Sequence, residues 1–568
     1  MVHSFPTRRS SDLIETLWFD TENEVQMDGF ENPYDSNFEY AFAYDLREII
    51  TGSGDDSLWN MNRDDLSFSL NEGDDFISFD NQVHGGSASG MDDGGYSDND
   101  GAVPLYTFYA TVDGGSGNDT VWGSDVDDYL ELSHVEHVST DEGEGDNQGD
   151  GWYGNDTVVF AENSGNTWVD AGYGYDHIQL DQDGTAGVIT INDAESISGG
   201  SGNDTIQAYI NSYSQYPGGG WFNETIFGYG GADSIAVDAS GSGYVWVDGG
   251  TGNDTIDIQD NNTGSVYVTA VGGAGEDHIT VGVASPDYIL VYGDEYAGTG
   301  GSGQPPSASV NAGGDADTIK VHADVYFEVY GQGGADSIVV DSDGSGWVDG
   351  GTGNDKITAT ADDGITVYGG TGNDSIYANA NSDGDTIGSG GQVFGDDGND
   401  YIETTGNGVA AAFSITGGAG DDHIVLQKLT SGVDTIVFGT IDYNALQAQS
   451  VNTQGYDVVD NFNFELAGGD SVHPASEDVL NFDSFLNYGG WNFNYTMDTA
   501  AIGSNNNNAI KFANWTSGVT VVDVDNGIIP LISDPATPTN DPVDAKVVVL
   551  NVANSFTIND LKNSLVLD

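Results

Sequence analysis

The stretch GQGGADSIVVDSDGSGWVDGGTGNDKITATADDGITVYGGTGNDSI, residues 331–376, decides the fold of this chain. It holds three copies of one turn, GQGGADSI, GGTGNDKI and GGTGNDSI, whose acids Asp336, Asp355 and Asp374 follow one another at intervals of 19 residues. A fixed period of about 20 residues is the signature of a repeat architecture built from one small structural unit. The chain is therefore expected to form stacked repeats rather than several compact domains.

The residues around each turn predict strands. An apolar residue stands two positions after each acid, as Ile338 and Ile357 do, and β-branched residues alternate before each glycine pair, as Val348 and Val367 do. Alternation with a period of two indicates β-strands. The predicted fold is all-β: a parallel β-roll or β-solenoid of stacked coils of about 19 to 20 residues, with a smaller C-terminal β-rich domain.

Composition excludes several classes of function. The 568 residues include 93 Asp plus Glu but only 10 Lys plus Arg, which gives a formal net charge of −83. Such a chain cannot neutralise nucleic-acid phosphates and is repelled by an anionic membrane surface. It has no Cys, so disulfides and thiol chemistry are excluded. No apolar run reaches the roughly 18 residues of a transmembrane helix, and no HExxH metalloprotease motif is present.

Stacked coils bring the turn acids together. Neighbouring strands lie about 4.8 Å apart, and two carboxylates at that distance repel by about a few kcal/mol at an effective dielectric of ~20. A long column of such acids therefore requires a cation. With no Cys or His at the turn position, the ligands are carboxylate and carbonyl oxygens, and these favour Ca²⁺, which accepts more oxygens in looser geometry than Mg²⁺ does.

The repeated pattern G-G-x-G-x-D-x-U-x, where U is apolar, resembles the nonapeptide of RTX (hemolysin-type) calcium-binding proteins. Further close copies are GGSGNDTV at Gly114, GGSGNDTI at Gly199, GGTGNDTI at Gly249 and GGAGDDHI at Gly417. The resemblance implies that calcium ions lie between the turns of successive coils. It carries the role of calcium ligand to Asp119, Asp176, Asp204, Asp233, Asp254, Asp277, Asp317, Asp336, Asp355, Asp374, Asp400 and Asp422.

The chain departs from the family pattern in one respect. RTX coils often carry two nonapeptides, whereas most coils here show one motif and an unrelated opposite corner, so mainly one row of ions is expected. Nine-residue steps from Asp119 to Asp128 and from Glu224 to Asp233 leave local two-sided sites open.

Four segments are predicted. Residues 1–13 resemble the in-frame translation of a sequencing-library adapter, and residues 14–50 form an N-terminal cap segment with a short helix over 36–50. Residues 51–427 form the calcium-binding solenoid. Residues 428–568 form a β-rich region similar to the C-terminal region of RTX surface and S-layer-like proteins, associated with secretion or the cell surface.

These features predict a secreted or surface-displayed calcium-binding solenoid without catalysis of its own, which folds on Ca²⁺ binding outside the cell and has a structural or adhesive role. The type I secretion machinery is a partner by resemblance only, and cell-surface polysaccharide or self-assembly are the other candidates. Trp168, Trp246 and Trp347 precede glycine turns and could form an aromatic strip that stacks on sugars, although covering a flat sheet face is the favoured interpretation. The alternative function is the noncatalytic tail of an RTX enzyme, polysaccharide-modifying or proteolytic.

Overall fold

The fold is described from a computed structural model. It describes residues 108–437 except 115–118, 123–127, 136, 141–154, 163–165, 172–174, 181–187, 212–221, 261–263, 284–285, 295–313, 324–325, 381–390, 407–411 and 427–433. It also describes residues 16–18, 24–26, 48–50, 57–59, 66–70, 75–78, 456–462, 479–481, 495–498, 507–512, 519–522, 529–530, 547–552 and 565–566. Residues 1–13 lie outside the described residues.

The chain divides into two units, Met1–Gly272 with Val283–Ser285 and Gly273–Gly282 with Pro286–Asp568. In each unit the strands alternate between two parallel sheets, here called sheet one and sheet two, so that two consecutive strands form one coil. Two strands, Val266–Ala274 and His278–Val283, carry residues of both units.

The first unit stacks its strands in chain order. Sheet one contains Thr16–Trp18, Glu48–Ile50, Leu66–Ser69, Phe108–Asp113, Asp128–Ser133, Thr157–Glu162, His177–Gln179, Ser196–Ser198, Phe222–Phe227 and Gly243–Thr251. Sheet two contains Glu24–Gln26, Ser57–Trp59, Phe76–Ser78, Thr120–Trp122, His137–Ser139, Thr167–Asp170, Ile189–Asn192, Thr205–Asn211, Ser234–Ser240 and Thr255–Asp260.

The second unit repeats the arrangement. Sheet one contains Pro286–Tyr292, Phe327–Tyr330, Gly346–Thr352, Ile365–Thr371, Gln392–Asp397, Ser414–Ala419, Thr435–Val437, Val479–Asn481 and Leu565–Val566. Sheet two contains Thr318–Ala323, Ser337–Ser342, Lys356–Ala361, Ser375–Ala380, Tyr401–Gly406, His423–Leu426, Tyr456–Phe462 and Val547–Val552, with Ile529–Pro530 antiparallel to the last of these.

The region after residue 427 contributes both parallel and antiparallel strands. Thr435–Val437 continues sheet one beside Ser414–Ala419. A separate antiparallel sheet is formed by Tyr495–Asp498, Asn507–Phe512 and Val519–Val522. The helix predicted over residues 36–50 is wrong at its end, where Glu48–Ile50 is a strand between Thr16–Trp18 and Leu66–Ser69; the rest of that segment lies outside the described residues.

The core is a ladder of apolar side chains between the two sheets. Ile319, Ile338, Ile357, Ile376, Ile402 and Ile424 are partners in successive parallel pairs, and each is at most 1% exposed. Burying one such side chain stabilises the fold by about 2 kcal/mol. Val339, between two core positions of its strand, is 39% exposed, as the period of two requires.

The predicted all-β parallel solenoid is confirmed, with coils of about 22 residues. They are longer on average than the predicted 19 to 20 because segments are inserted between strands, so Asp374 and Asp400 in adjacent coils are 26 residues apart. No helix occurs among the described residues, and the same part of the chain contains no helix that could span a membrane.

Candidate functional site

The candidate site is a column of turn acids that directly precede the strands of sheet two. In the first unit these are Asp204, Asp233 and Asp254, and in the second Asp277, Asp317, Asp336, Asp355, Asp374, Asp400 and Asp422; all are at most 3% exposed. These sets are here called the turn column. Asp119 is equally buried, and its Oδ1 accepts the backbone N–H of Asp75.

The glycines of the turn let successive coils approach closely. Gly353 has a φ of 138°, and a Cβ atom on it would lie 1.3 Å from the carbonyl oxygen of Gly334 in the previous coil. Only glycine adopts this backbone conformation without strain and leaves room for the neighbouring backbone. The repeated glycines therefore place one acid directly against the next.

One carboxylate oxygen of each acid ties two coils together. The backbone N–H of Asp336 donates to Oδ1 of Asp355 at 2.8 Å, and the N–H of Asp355 donates to Oδ1 of Asp374 at 2.8 Å. The same bond joins Asp204 to Asp233, Asp233 to Asp254, Asp277 to Asp317, Asp317 to Asp336, Asp374 to Asp400 and Asp400 to Asp422. The ladder fixes the position of every acid.

The second carboxylate oxygen is not used by this ladder. In six column acids Oδ2 is buried and has no hydrogen-bond partner among the described residues: Asp233, Asp317, Asp336, Asp355, Asp374 and Asp400. A buried carboxylate oxygen in this state costs several kcal/mol, roughly, unless something neutralises it.

Backbone carbonyls face the same space. A Cβ atom built on Gly331 would lie 2.5 Å from Oδ2 of Asp336 and 2.6 Å from the carbonyl oxygen of Gly350 in the next coil. One built on Gly350 would lie 2.6 Å from both Oδ2 of Asp355 and the carbonyl oxygen of Gly369. The missing side chain of the first glycine thus leaves one position that a carboxylate oxygen and a carbonyl oxygen of the next coil both border, which are two oxygen ligands that a cation could share.

Burial and neighbouring acids disfavour the charged form of the column aspartates. Burial, reinforced by the neighbouring acids Asp355, Asp317 and Asp294, raises the pKa of Asp336 to about 9. Burial, again with acidic neighbours, raises the pKa of Asp400 to about 8. In both residues the backbone N–H bond to Oδ1 opposes the shift without cancelling it.

Other column acids are shifted less. Burial raises the pKa of Asp317, Asp233 and Asp355 to about 7 and that of Asp254 to about 6. At neutral pH the column therefore holds a mixture of protonated and charged carboxyl groups, and the charged ones require a counter-charge.

Basic side chains do not supply that counter-charge in the described part of the chain. Lys320 and Lys356, the lysines whose side chains the structure describes, are exposed. The ion pairs found there are histidine pairs at the surface, His134 with Asp113 and His322 with Asp341.

The donor set fits a hard cation with a mixed ligand shell. The described residues contain no group of three or more His, Asp or Glu side chains able to hold a metal. An ion in the column would therefore take carboxylate oxygens from column acids and its remaining ligands from backbone carbonyls and water. Calcium accepts six to eight such oxygens in flexible geometry, whereas zinc prefers nitrogen and sulfur.

An asparagine ladder runs beside the column, and sequence reasoning did not find it. The backbone N–H of Asn373 donates to Oδ1 of Asn354, and that of Asn399 to Oδ1 of Asn373, each at 2.7 Å. These bonds run from the later coil to the earlier one, opposite to the aspartate ladder. The recurring Asn-Asp pair of the turns marks these positions but does not show to which coil each side chain bonds.

One predicted ligand lies elsewhere. Asp176 directly precedes a sheet-one strand, His177–Gln179, and its Oδ1 accepts the backbone N–H of Asp156 at 2.8 Å. The backbone N–H of Asp176 donates to Oε2 of Glu195 at 2.8 Å. Asp176 therefore belongs to a second group of acids at the edge of sheet one.

The aromatic strip is not one surface for sugars. Trp168 lies in sheet two, whereas Trp347 lies in sheet one, where its ring stacks on Tyr368 at 4.6 Å. Tyr368 also stacks on Phe394 at 4.6 Å, so both faces of its ring are covered. Sugar stacking needs an exposed ring face, which Tyr368 does not offer.

Comparison of the chain with protein-family models, curated proteins and solved structures found no match.

Proposed function

We propose that the chain is a calcium-binding β-solenoid that folds when the ion binds outside the cell, and that it serves as a structural or adhesive surface protein without catalysis of its own. The observation that carries this proposal is the row of buried Oδ2 atoms on the turn column, each of which borders, together with a carbonyl oxygen of the next coil, the space left by a turn glycine. The G-G-x-G-x-D repeats that build the column resemble RTX proteins, and this resemblance supports calcium and type I export.

The chemistry favours an ion over protons. Protons alone would neutralise only part of the column at neutral pH, because burial raises the pKa of Asp336 to about 9 but that of Asp254 only to about 6. A divalent ion neutralises two carboxylates at once and also satisfies the facing carbonyl oxygens.

The turn column would keep the chain unfolded at cytosolic calcium and let it fold at extracellular calcium. Extracellular calcium modules have dissociation constants of about 10⁻⁴ to 10⁻³ M, so calcium at cytosolic levels leaves them empty. Without the ion, the buried charges oppose stacking of the coils. In millimolar calcium, ion binding contributes directly to folding because the unfolded chain has no preformed site.

Circular dichroism of the purified chain tests the proposal. In chelator at pH 7.5 we expect the spectrum of a largely disordered chain. On adding millimolar CaCl₂ we expect a cooperative rise in β signal, and MgCl₂ at the same concentration should not reproduce it. Metal analysis after gel filtration should find several calcium ions per chain. A β spectrum unchanged by chelator, in a protein that carries no metal, would overturn the proposal.

A further inference from the structure

A second set of acids lies near the beginnings of four sheet-one strands in the first unit. Strand pairing places Thr157 beside His177, His177 beside Ser196 and Ser196 beside Thr225. The residue before each of these is an acid, and the four acids therefore stack in successive coils: Asp156, Asp176, Glu195 and Glu224, all at most 7% exposed. These four residues are here called the sheet-one acids.

The hydrogen-bond ladder of the sheet-one acids stops before Glu224. The backbone N–H of Asp176 donates to Oε2 of Glu195 at 2.8 Å. The N–H of Glu195 instead donates back to the carbonyl oxygen of Asp176, at 3.2 Å. On the other side, strand pairing places Glu224 beside Val245, which has no polar side chain.

Glu224 is consequently a buried carboxylate outside the ladder. It is 2% exposed, and its Oε1 has no hydrogen-bond partner among the described residues. Burial, followed by the negative charges of Glu195, Asp193 and Asp176, raises the pKa of Glu224 well above its usual range. No positive side chain pairs with Glu224 within the described part of the molecule. A buried carboxylate among other carboxylates is costly unless a cation pairs with it.

We infer that Glu224 and Glu195 form a further divalent cation site between two adjacent coils, on the sheet-one edge and separate from the turn column. The site lacks the G-G-x-G-x-D turn, since the chain reads NDAES around Glu195 and FNETI around Glu224. Its carboxylates come from glutamates, whose side chains reach one methylene further than those of the column aspartates.

Calcium is the cation that fits this site. The ligands are all oxygen, which disfavours zinc and copper. Because no group of three or more acidic or histidine side chains converges within the described residues, two carboxylates at most are supplied, and carbonyl oxygens and water complete the shell. Calcium tolerates such a mixed and irregular shell, whereas magnesium demands a near-ideal octahedron.

Two coils of the first unit carry acids at both of their edges. Glu195 stands nine residues before Asp204, and Glu224 nine residues before Asp233. Each of these coils thus has an acid of the sheet-one group at one edge and a turn-column acid at the other.

Counting bound ions in the full-length chain tests the inference. Glu224→Gln keeps the shape of the side chain and removes its charge. We expect equilibrium dialysis with ⁴⁵Ca²⁺ to find one ion fewer than in the unaltered chain, and the calcium-induced rise in unfolding midpoint to be smaller. In chelator with sucrose, which strengthens burial, the variant should unfold at a higher midpoint, because a buried carboxyl group has been removed. The control is Glu131→Gln, an exposed glutamate of a sheet-one strand, which should change neither quantity.

The outcomes separate this inference from the proposed function. If the unaltered chain binds no calcium, both fail; if it binds calcium and Glu224→Gln binds the same number of ions, only the Glu224 site is overturned. Should Glu224→Gln not fold, crystals of the unaltered chain soaked in TbCl₃ decide the question. An anomalous peak between Glu195 and Glu224 supports the site, and its absence where the turn column is occupied overturns it.

Discussion

The backbone N–H of Asp336 donates to Oδ1 of Asp355, 19 residues further along the chain, at 2.8 Å, while Oδ2 of each residue has no hydrogen-bond partner in the described part of the protein. One oxygen of the side chain thus holds two coils together, and the other opposes their stacking. The first effect needs only an acceptor, which asparagine also provides. The second depends on charge, so the two effects can be separated by mutation.

The double variant Asp336→Asn, Asp355→Asn should be more stable than the unaltered chain without calcium and less stable than it with calcium. Asparagine keeps the Oδ1 acceptor and replaces Oδ2 with an amide that can donate to the facing carbonyl of Gly350 or Gly369. In chelator with sucrose, which strengthens burial, the variant should unfold at a higher urea concentration than the unaltered chain. In about 10 mM calcium it should lose roughly 1.4 to 2.7 kcal/mol of stabilisation for each ion no longer bound, for sites of about 10⁻⁴ to 10⁻³ M.

The matched control is Asp362→Asn, Asp363→Asn, which removes the same charge at the opposite corner of a coil. Urea unfolding with and without calcium should show a response to calcium close to that of the unaltered chain. Equal calcium responses in the two double variants would contradict a role for the column.

In chelator, stability should fall as pH rises. Burial raises the pKa of Asp336 to about 9 and that of Asp400 to about 8, whereas an unfolded aspartate titrates near 3.9, approximately. A folded-state pKa above the unfolded value gives stability that is complete below about pH 4 and lost as pH rises through the folded pKa. The thermal midpoint in chelator with sucrose, which strengthens burial, should therefore decrease from pH 4 to pH 9.

General repulsion in a chain of net charge −83 acts in the same direction. The two double variants separate the causes because each replaces two aspartates and removes the same charge from the unfolded chain. The slope of midpoint against pH should flatten in Asp336→Asn, Asp355→Asn and stay nearly unchanged in Asp362→Asn, Asp363→Asn. If both slopes flatten equally, the buried column is not the source.

Gly350→Ala should destabilise the chain and weaken its calcium response. The new Cβ would lie 2.6 Å from Oδ2 of Asp355 and from the carbonyl oxygen of Gly369, so both must shift. Overpacking of this kind typically costs about 1 to 3 kcal/mol. Gly314→Ala is the control, since a Cβ there meets nothing within 4 Å, and its unfolding midpoint should be unchanged or slightly raised. Equal midpoints for the two variants would show that the space beside Gly350 is not constrained.

Sequence periodicity was sufficient to predict the fold and most of the turn column. The 19-residue steps from Asp317 to Asp374 set the register, because a constant spacing leaves each acid over the previous one. Asp176 lies at the edge of sheet one, although its motif, GYGYD, resembles those of the turn column. Spacing along the chain does not say which of the two corners of a coil an acid occupies when the inserted segments vary in length.

Glu195 was missed because no glycine turn marks it. The signal that could have found it is its nine-residue offset from Asp204, the same offset that had drawn attention to Glu224 and Asp233. The hydrogen bonds that join Asn373 to Asn354 and Asn399 could not be predicted from sequence patterns either. They depend on the direction in which each asparagine side chain points.

Asn373→Ala should lower stability by a similar amount with and without calcium. The Asn373 side chain accepts the backbone N–H of Asn399 at 2.7 Å through Oδ1, and alanine leaves that donor without its partner. Losing one such bond costs about 1 kcal/mol. Urea unfolding in chelator with sucrose, which strengthens burial, and in calcium should both detect it. Asn379→Ala, in the strand Ser375–Ala380 that follows Asn373, is the control and should have little effect. A loss confined to calcium solutions would mean that Asn373 acts through the ion site rather than through the ladder.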